Sequence, residues 1–257
     1  MTGRAQSRKV FVTGAAGGLG EGIAKLFLAE GASVALADIR GADDARAALG
    51  GSSIAVTIDV RDRDSVEAAI SEAWDAFGGL DVLVNCAGVY PSHLLVDMSD
   101  DAWDTVLDTN LKGPFMTSQT MVRRWIAGGS QGHIVNITSG AALRARPGAA
   151  HYSTSKAALE MLTRAFALEM APYHIHVNAV SPGFFDVSSG VNKISREYVD
   201  AITKTIPWGA GGDPKDIAEA VLFLCGEGAS YITGSILRVD GGYSTGTNQL
   251  PTSGPRQ

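Results

Sequence analysis

A glycine-rich turn between an apolar strand and an apolar helix is the feature that most limits the folds open to this chain. Residues 9–12 are a short apolar run typical of a buried strand, and residues 23–27 begin a helical pattern. Between them stand Gly14, Gly17, Gly18 and Gly20. A strand, a glycine turn and a helix in this order place backbone N–H groups where a pyrophosphate can bind. The spacing is G-x-x-x-G-x-G rather than the general G-x-G-x-x-G, so alone it is a weak signal.

The same alternation of strand and helix patterns runs along the whole chain, without an internal repeat or a linker. Further strand patterns lie at residues 33–37, 53–58, 80–84, 134–137, 175–180 and 236–239. Alternation of this kind predicts the α/β class, with a single doubly wound parallel sheet that is Rossmann-like and has helices on both faces. We predict one domain over residues 1–257, with a core at 8–243, a substrate lid at 184–212 and a tail at 244–257.

The composition narrows the class of protein and its partners. Of the 257 residues, 45% are hydrophobic and 19% are charged, as in ordinary globular proteins. The formal net charge of -6 argues against a nucleic acid or an anionic membrane as a partner. Neither a long apolar run nor the apolar core of a signal peptide is visible. Because Cys86 and Cys225 lie in apolar segments, we expect reduced core thiols and a cytoplasmic protein.

Three residues suggest acid/base chemistry. Tyr152 and Lys156 are four residues apart in a helical pattern, so they lie on one face. Free tyrosine has a pKa near 10, and a lysine ammonium nearby lowers that pKa and makes the phenol usable in proton transfer. Ser139 falls just past the strand at residues 134–137, where its hydroxyl can hold the oxygen whose proton moves. A lone Y-x-x-x-K is more often an ordinary surface pair; Ser139 and the glycine turn favour the functional interpretation.

These motifs resemble those of the short-chain dehydrogenase/reductase family, and the resemblance covers nearly the whole chain. Its cofactor loop is similar to T-G-x-x-x-G-x-G at residues 13–20, and its catalytic segment to Ser139 and Tyr152-x-x-x-Lys156. The resemblance implies reversible hydride transfer between NAD and a secondary alcohol or ketone. Tyr152 would be the acid/base and Ser139 would bond the substrate oxygen. Lys156 would lower the pKa of Tyr152 and hold the nicotinamide ribose, and Asn110 would hold a relay water.

The resemblance also implies the contacts with the cofactor. They are Gly14, Gly17, Gly18, Leu19, Gly20, Asp38, Asp59, Val60, Asn85, Ala87, Gly88, Tyr152, Lys156, Pro182, Gly183 and Phe185. The chain departs from the family pattern at two places. Cys86 replaces the second asparagine of the N-N-A-G turn, and Val187 stands where a threonine is usual.

Asp38 bears on the choice between NAD and NADP. It ends the second strand pattern, about 20 residues past the glycines, where an acid can accept hydrogen bonds from a ribose 2′-hydroxyl. The same carboxylate would repel a 2′-phosphate. NADP-preferring relatives often carry a basic residue at one of two positions, which here are Gly17 and Ile39. Arg40 is nearby and could favour NADP slightly, but it does not reverse the preference for NAD. We predict NAD as the cofactor.

Several alternatives stay open at this point. A 3-oxoacyl-thioester reductase would normally use NADPH, which Asp38 disfavours, and a non-catalytic dinucleotide-binding regulator would not need the complete catalytic set. A third alternative is an epimerase or dehydratase of the larger, extended relatives, which have a separate substrate domain. Fewer than 80 residues follow residue 180, too few for such a domain of usual size. Arg144 and Arg146, in the loop before Tyr152, either meet an anionic substrate group or stay in solvent, and the general exposure of arginine favours solvent.

The last expectations concern ligands and assembly. Tyr90, Leu94, Arg144, Phe184 and the segment to Trp208 are expected to shape the pocket for a small-molecule alcohol or ketone. No metal site is expected. The helical patterns at residues 152–170 and 217–225 are apolar over more of their circumference than one sheet contact requires. We therefore predict a homotetramer with two-fold axes.

Overall fold

A computed structural model of the chain describes residues 3–185 and 195–246. Its strands are β1 Lys9–Thr13, β2 Ser33–Asp38, β3 Ser53–Thr57, β4 Val82–Asn85, β5 His133–Ile137, β6 His176–Pro182 and β7 Ile236–Val239. They form one seven-stranded sheet in the order β3-β2-β1-β4-β5-β6-β7, and every pair is parallel. The predicted fold class is confirmed. Val187 and most of the predicted tail lie outside the described residues.

The helices lie on both faces of the sheet. They are α1 Gly18–Ala29, α2 Ala42–Leu49, α3 Arg63–Phe77, α4 Asp100–Leu107, α5 Gly113–Gly128, α6 Ala150–Met170, α7 Arg196–Thr203 and α8 Pro214–Leu224. Side-chain caps define three of the starts: Asp62, Ser99 and Asp213 each accept a backbone N–H from the first turn of α3, α4 and α8. The sequence predicts two of these starts, because Ser99 precedes two acids and Asp213 precedes a proline, and both are confirmed.

The alternation of side chains along each strand creates two cores. Val10 and Val12 of β1 point to the core that contains Ile23 of α1 and Val221 of α8. Phe11, between them, points to the opposite core, built from α3, α5 and α6. All three strand side chains are fully buried, as expected for a strand covered on both faces. Side chains in the middle of these strands therefore cannot reach a ligand. Functional residues are instead found at the strand ends.

The helical segment around Asn110 is interrupted by a π turn. After α4, residues Asp108–Lys112 form a π-helical turn, and α5 follows directly at Gly113. Asn110 lies in this turn and is fully buried. A π turn inserts an extra residue into the helix and is common at functional sites. The interruption turns an amide side chain inward toward the end of the sheet.

Membrane and metal features were also assessed within residues 3–185 and 195–246. No helix in these ranges is both long and apolar enough to cross a bilayer. No group of three or more His, Cys, Asp or Glu side chains in the same ranges is placed to hold a metal ion. His133 at the start of β5 and His176 at the start of β6 pack on each other, with stacked rings whose centroids are 4.8 Å apart.

Candidate active site

The turn after β1 packs directly on the turn after β4. The hydroxyl of Thr13 accepts hydrogen bonds from the N–H groups of Cys86, at 3.0 Å, and Ala87, at 3.1 Å. Gly14 has φ +71°, and a Cβ atom on it would lie 2.8 Å from the Ala87 backbone. On Gly20 a Cβ would lie 2.1 Å from the Gly14 carbonyl oxygen. The turns can approach this closely only because these positions lack side chains.

The other side of the glycine turn is open. An added Cβ on Gly17 or Gly18 would meet no atom within 4 Å. The helix α1 begins here with Gly17 as its cap residue and no side-chain hydrogen bond to its first N–H groups. Leu19 packs against the core beneath. Backbone N–H groups that face open space at a helix start match the needs of a pyrophosphate, so these residues fit a dinucleotide.

Asp38 lies beside this turn. One carboxylate oxygen accepts the Ala16 N–H at 3.0 Å, and the other accepts the Arg40 N–H at 3.3 Å. The sequence did not predict the first of these bonds, because it joins residues 22 positions apart. A carboxylate has about four acceptor positions, so a ribose hydroxyl can still bond to it. The acid is held in place at the edge of the dinucleotide cleft.

Asp59, predicted to contact the cofactor, already has a partner. Arg61 forms an ion pair with it at 2.6 Å between Nη2 and Oδ2. This hydrogen bonding holds the pKa of Asp59 below its usual range. Val60 is buried and packs on Gly113, where an added Cβ would lie 3.0 Å away. The structure thus places both residues at the end of β3, with the Asp59 carboxylate partly engaged.

Ser139, Tyr152 and Lys156 come together at the end of β5. Ser139 follows this strand, whereas Tyr152 lies in the first turn of α6 and Lys156 one turn later. The Ser139 hydroxyl is close enough to the Tyr152 phenol to act to lower its pKa. The Lys156 Nζ lies 5.9 Å from the centroid of the Tyr152 ring and donates to the Ile137 carbonyl at 2.8 Å. The three residues form a compact group capable of binding an oxygen and moving its proton.

Asn110 binds the turn after β4 at a point close to Lys156. Its amide exchanges two hydrogen bonds of 2.8 Å with the Val89 backbone and donates to Ser155 at 3.3 Å. A Cβ atom on Gly88 would lie 3.2 Å from the Asn110 Oδ1 and 3.6 Å from the Lys156 Nζ. The Asn110 side chain therefore holds the turn in place beside Lys156. The relay water stays a prediction.

The ionisation of the catalytic pair differs from the expectation. Burial raises the pKa of Tyr152, although the hydrogen bond with Ser139 and the charge of Arg146 act in the opposite direction. Burial also lowers the pKa of Lys156 to about 8. In the protein without its cofactor, burial therefore outweighs the neighbouring positive charges that were expected to lower the pKa of Tyr152.

A buried polar network supports the site from below, and sequence reasoning did not identify it. Asn85 donates to Asn136 at 2.8 Å and to Ser118 at 3.1 Å, and accepts from Thr117 at 2.6 Å. Asn136 in turn donates to Thr163 at 2.9 Å. The network joins β4, β5, α5 and α6, and it engages the Asn85 side chain that was predicted to contact the cofactor. The sequence feature that could have indicated this network is Asn136, a polar residue inside the apolar run of β5.

The end of β6 is covered by a segment near the C-terminus. Gly183, after Pro182, packs so closely that an added Cβ would lie 2.6 Å from the Asp240 Cα. Tyr243 lies against Gly140, the residue after Ser139, at 3.9 Å from an added Cβ. Phe185 is buried and pairs with Gly212. Residues 240–244 thus form a wall of the site, a role that the sequence did not indicate.

His151, next to Tyr152, supports the start of α6. Its Nδ1 accepts the Tyr152 N–H at 2.9 Å, where the cap residue Ala149 provides no side-chain bond. The ring is fully buried and lies edge-on to His93, with centroids 6.0 Å apart. Burial, followed by the neighbouring His93, lowers the pKa of His151. A neutral His151 whose Nδ1 accepts from the backbone serves packing rather than proton transfer.

Comparison with known proteins identifies the family. A family model described as Enoyl-(Acyl carrier protein) reductase matches residues 14–244. The 3-oxoacyl-acyl-carrier-protein reductase of Thermotoga maritima is 34% identical over 244 residues, which cover 93% of this chain and 98% of that protein. The NAD-dependent glycerol dehydrogenase of Listeria innocua is 37% identical over 235 residues, with 91% and 92% covered.

A solved structure agrees with these relatives. The short-chain dehydrogenase/reductase of Serratia marcescens superposes with a TM-score of 0.86 at 34% identity, covering 94% of this chain and 99% of that one. The chain belongs to the short-chain dehydrogenase/reductase family and is an oxidoreductase. The predicted resemblance is confirmed.

Proposed function

We propose that this oxidoreductase uses NAD(H) to interconvert a secondary alcohol and a ketone, with Tyr152 as the acid/base. The observation that carries the proposal is the convergence of Ser139, Tyr152 and Lys156 beside a glycine turn that fits a dinucleotide. A panel of alcohols incubated with NAD, with NADH absorbance as the readout, tests it. Absence of turnover for every alcohol and for every ketone with NADH would contradict it.

The residues of the chain have separate tasks in alcohol oxidation. Ser139 donates a hydrogen bond to the substrate oxygen, and the Tyr152 phenolate takes the hydroxyl proton. When bound, the dinucleotide supplies the acceptor for the hydride that leaves the carbinol carbon. In ketone reduction Tyr152 returns the proton to the oxygen. Lys156 would hold the nicotinamide ribose, and Asn110 keeps the neighbouring turn in position.

The names of the relatives point to two reaction classes. One relative is named a 3-oxoacyl-acyl-carrier-protein reductase and another an NAD-dependent glycerol dehydrogenase. Asp38, held at the edge of the dinucleotide cleft by Ala16, supports the NAD-linked class because a 2′-phosphate would meet a fixed carboxylate. A non-catalytic regulator is the weaker alternative, since the catalytic group is complete.

Asp38→Ala should raise the KM for NAD and relieve the rejection of NADP. The loss of a hydrogen bond to a charged group is worth about 1.5–3 kcal/mol. Asp38→Asn is the matched variant, because its amide oxygen can still accept the Ala16 N–H while the charge is gone. The measurement is the ratio of kcat/KM for NAD to that for NADP. A wild-type enzyme that used both cofactors equally well would contradict the assignment of Asp38.

We also propose a homotetramer with two-fold axes, in which α6 pairs with its symmetry mate. Two apolar side chains of α6 are solvent-accessible: Met161 is 63% exposed and Leu168 is 80% exposed. Together with α4 and α5 this face lines a surface groove of about 660 Å³. The exposed Phe223 of α8 offers a second apolar contact. Monomeric proteins rarely leave such a face uncovered.

Light scattering at micromolar concentration should give a mass of four chains, and Met161→Glu should reduce it because a charge would be buried at the pairing face. Val96→Glu is the matched control, an acidic substitution at an exposed apolar residue outside α6. A monomer mass for the wild type would rule out the assembly.

A further inference from the structure

The two loops beside Tyr152 carry no carboxylates, and one of them carries two arginines, although the chain as a whole is acidic. Residues 86–96, after β4, and residues 139–152, between β5 and the first turn of α6, contain no Asp or Glu. The second loop contains Arg144 and Arg146, whereas the net charge of the chain is -6. A local excess of positive charge attracts anionic ligands.

The two arginines differ in their partners. Arg144 donates to the Tyr243 carbonyl at 3.1 Å, and its guanidinium lies 4.8 Å from the centroid of the Tyr243 ring. This arginine is engaged in holding the C-terminal wall of the site. The Arg146 side chain is exposed and forms no hydrogen bond or ion pair with any residue that the structure describes. Its guanidinium donors are therefore available to a ligand.

The backbone fixes the position of Arg146 relative to Tyr152. The Arg146 carbonyl accepts the N–H of Ala149, the cap residue of α6, at 3.2 Å. The adjacent Gly148 accepts the His93 N–H at 3.0 Å, which joins this turn to the loop after β4. These bonds hold Arg146 one turn before α6, whose first turn carries Tyr152. The positive charge of Arg146 acts to lower the pKa of Tyr152, against the larger effect of burial.

We propose that the substrate is a hydroxy acid, or the matching oxo acid in the reverse direction, whose carboxylate binds Arg146 while its hydroxyl binds Ser139 and Tyr152. The planar guanidinium matches the two oxygens of a carboxylate. The carboxylate takes no part in the bond changes: Tyr152 receives the hydroxyl proton, and the hydride goes to NAD as in the proposed function. The assignment of a substrate class rests on that function.

Three acids, each paired with its neutral amide, test the class: 2-hydroxybutyrate, 3-hydroxybutyrate and 4-hydroxypentanoate. With NAD, at least one acid should have a kcat/KM about tenfold or more above its amide. Arg146→Gln should lower kcat/KM for that acid by about 10- to 100-fold, mainly through KM, and bring the acid-to-amide ratio toward one. Arg144→Gln is the matched control and should keep the ratio, because that guanidinium bonds to Tyr243.

A binding measurement separates this proposal from the general function. Each acid is titrated calorimetrically into Tyr152→Phe protein saturated with NAD, with and without Arg146→Gln. We expect binding that depends on Arg146 and is absent for the amides. Equal affinity for acids and amides, or an equal loss for both in Arg146→Gln, overturns the hydroxy-acid assignment. Failure of every acid and every neutral alcohol to form NADH contradicts the proposed function instead, and the titration still decides the role of Arg146.

Discussion

Tyr152→Phe should lower turnover by about 10²–10⁴-fold, the range typical of general acid/base groups, while the binding of NAD stays intact. The substitution keeps the ring and its edge-on contact with Tyr90, whose centroid is 6.0 Å away, and removes the group that carries the proton. Turnover is measured with saturating alcohol and NAD, and binding by fluorescence titration. Tyr173→Phe, at an exposed tyrosine beyond α6, is the control and should be fully active.

The pH dependence sharpens this test. Because burial raises the pKa of Tyr152, the phenol of the free protein should titrate above its ordinary value of about 10 in an ultraviolet difference titration against Tyr152→Phe. Alcohol oxidation needs the phenolate, so its rate should rise with pH. With NAD bound, the cationic nicotinamide ring stabilises the phenolate, and the ionisation seen in the rate should lie below 10.

Two results would contradict the assignment of Tyr152. One is a Tyr152→Phe enzyme that binds NAD, is folded and keeps most of its activity. The other is an oxidation rate that falls as the pH rises from 6 to 9, since a base must lose its proton to act.

Lys156→Ala should lower both NAD affinity and turnover, unlike Tyr152→Phe. The buried ammonium of Lys156 donates to the Ile137 carbonyl and would hold the nicotinamide ribose. Its removal leaves a buried carbonyl without its partner, and the loss of a hydrogen bond to a charged group costs about 1.5–3 kcal/mol. The Kd for NAD and kcat are the two measurements, and both should change by about tenfold or more.

Controls separate the charge of Lys156 from its packing. Lys156→Met keeps the length of the side chain and should show the same two losses, whereas Lys25→Ala, on the exposed face of α1, should show neither. The pKa of about 8 adds a further expectation: NAD affinity should weaken as the pH rises past this value, because Lys156 loses its charge there. Unchanged NAD affinity in both Lys156 variants would contradict the proposal that Lys156 holds the nicotinamide ribose.

The sequence predicted the fold because its strands are buried on both faces. Such strands are continuous apolar runs, as at residues 10–12, and they alternate with helical patterns that end at glycines or polar caps. The positions of Ser139, Tyr152 and Lys156 followed from the same pattern, since residues after parallel strands gather at one edge of the sheet.

Other features depended on tertiary structure and could not be predicted. The bond between Asp38 and Ala16 and the network from Asn85 to Asn136 depend on which strands are neighbours. The sequence shows the lysine near Tyr152 but not the burial that raises the pKa of Tyr152 in the protein without its cofactor. Arg144 and Arg146 look alike in the sequence, and only their surroundings distinguish them.

The buried network beneath the site has a consequence for protein engineering. It ties β4, β5, α5 and α6 together through buried side chains, so the group that we propose to transfer the proton rests on a rigid base. Loop residues 90–96 and 141–148 are attached to this base from outside. We therefore expect substitutions confined to those loops to change the substrate preference while the reaction is retained. Substitution of Asn136 or Thr163 should instead remove a buried hydrogen bond that supports the site in every variant.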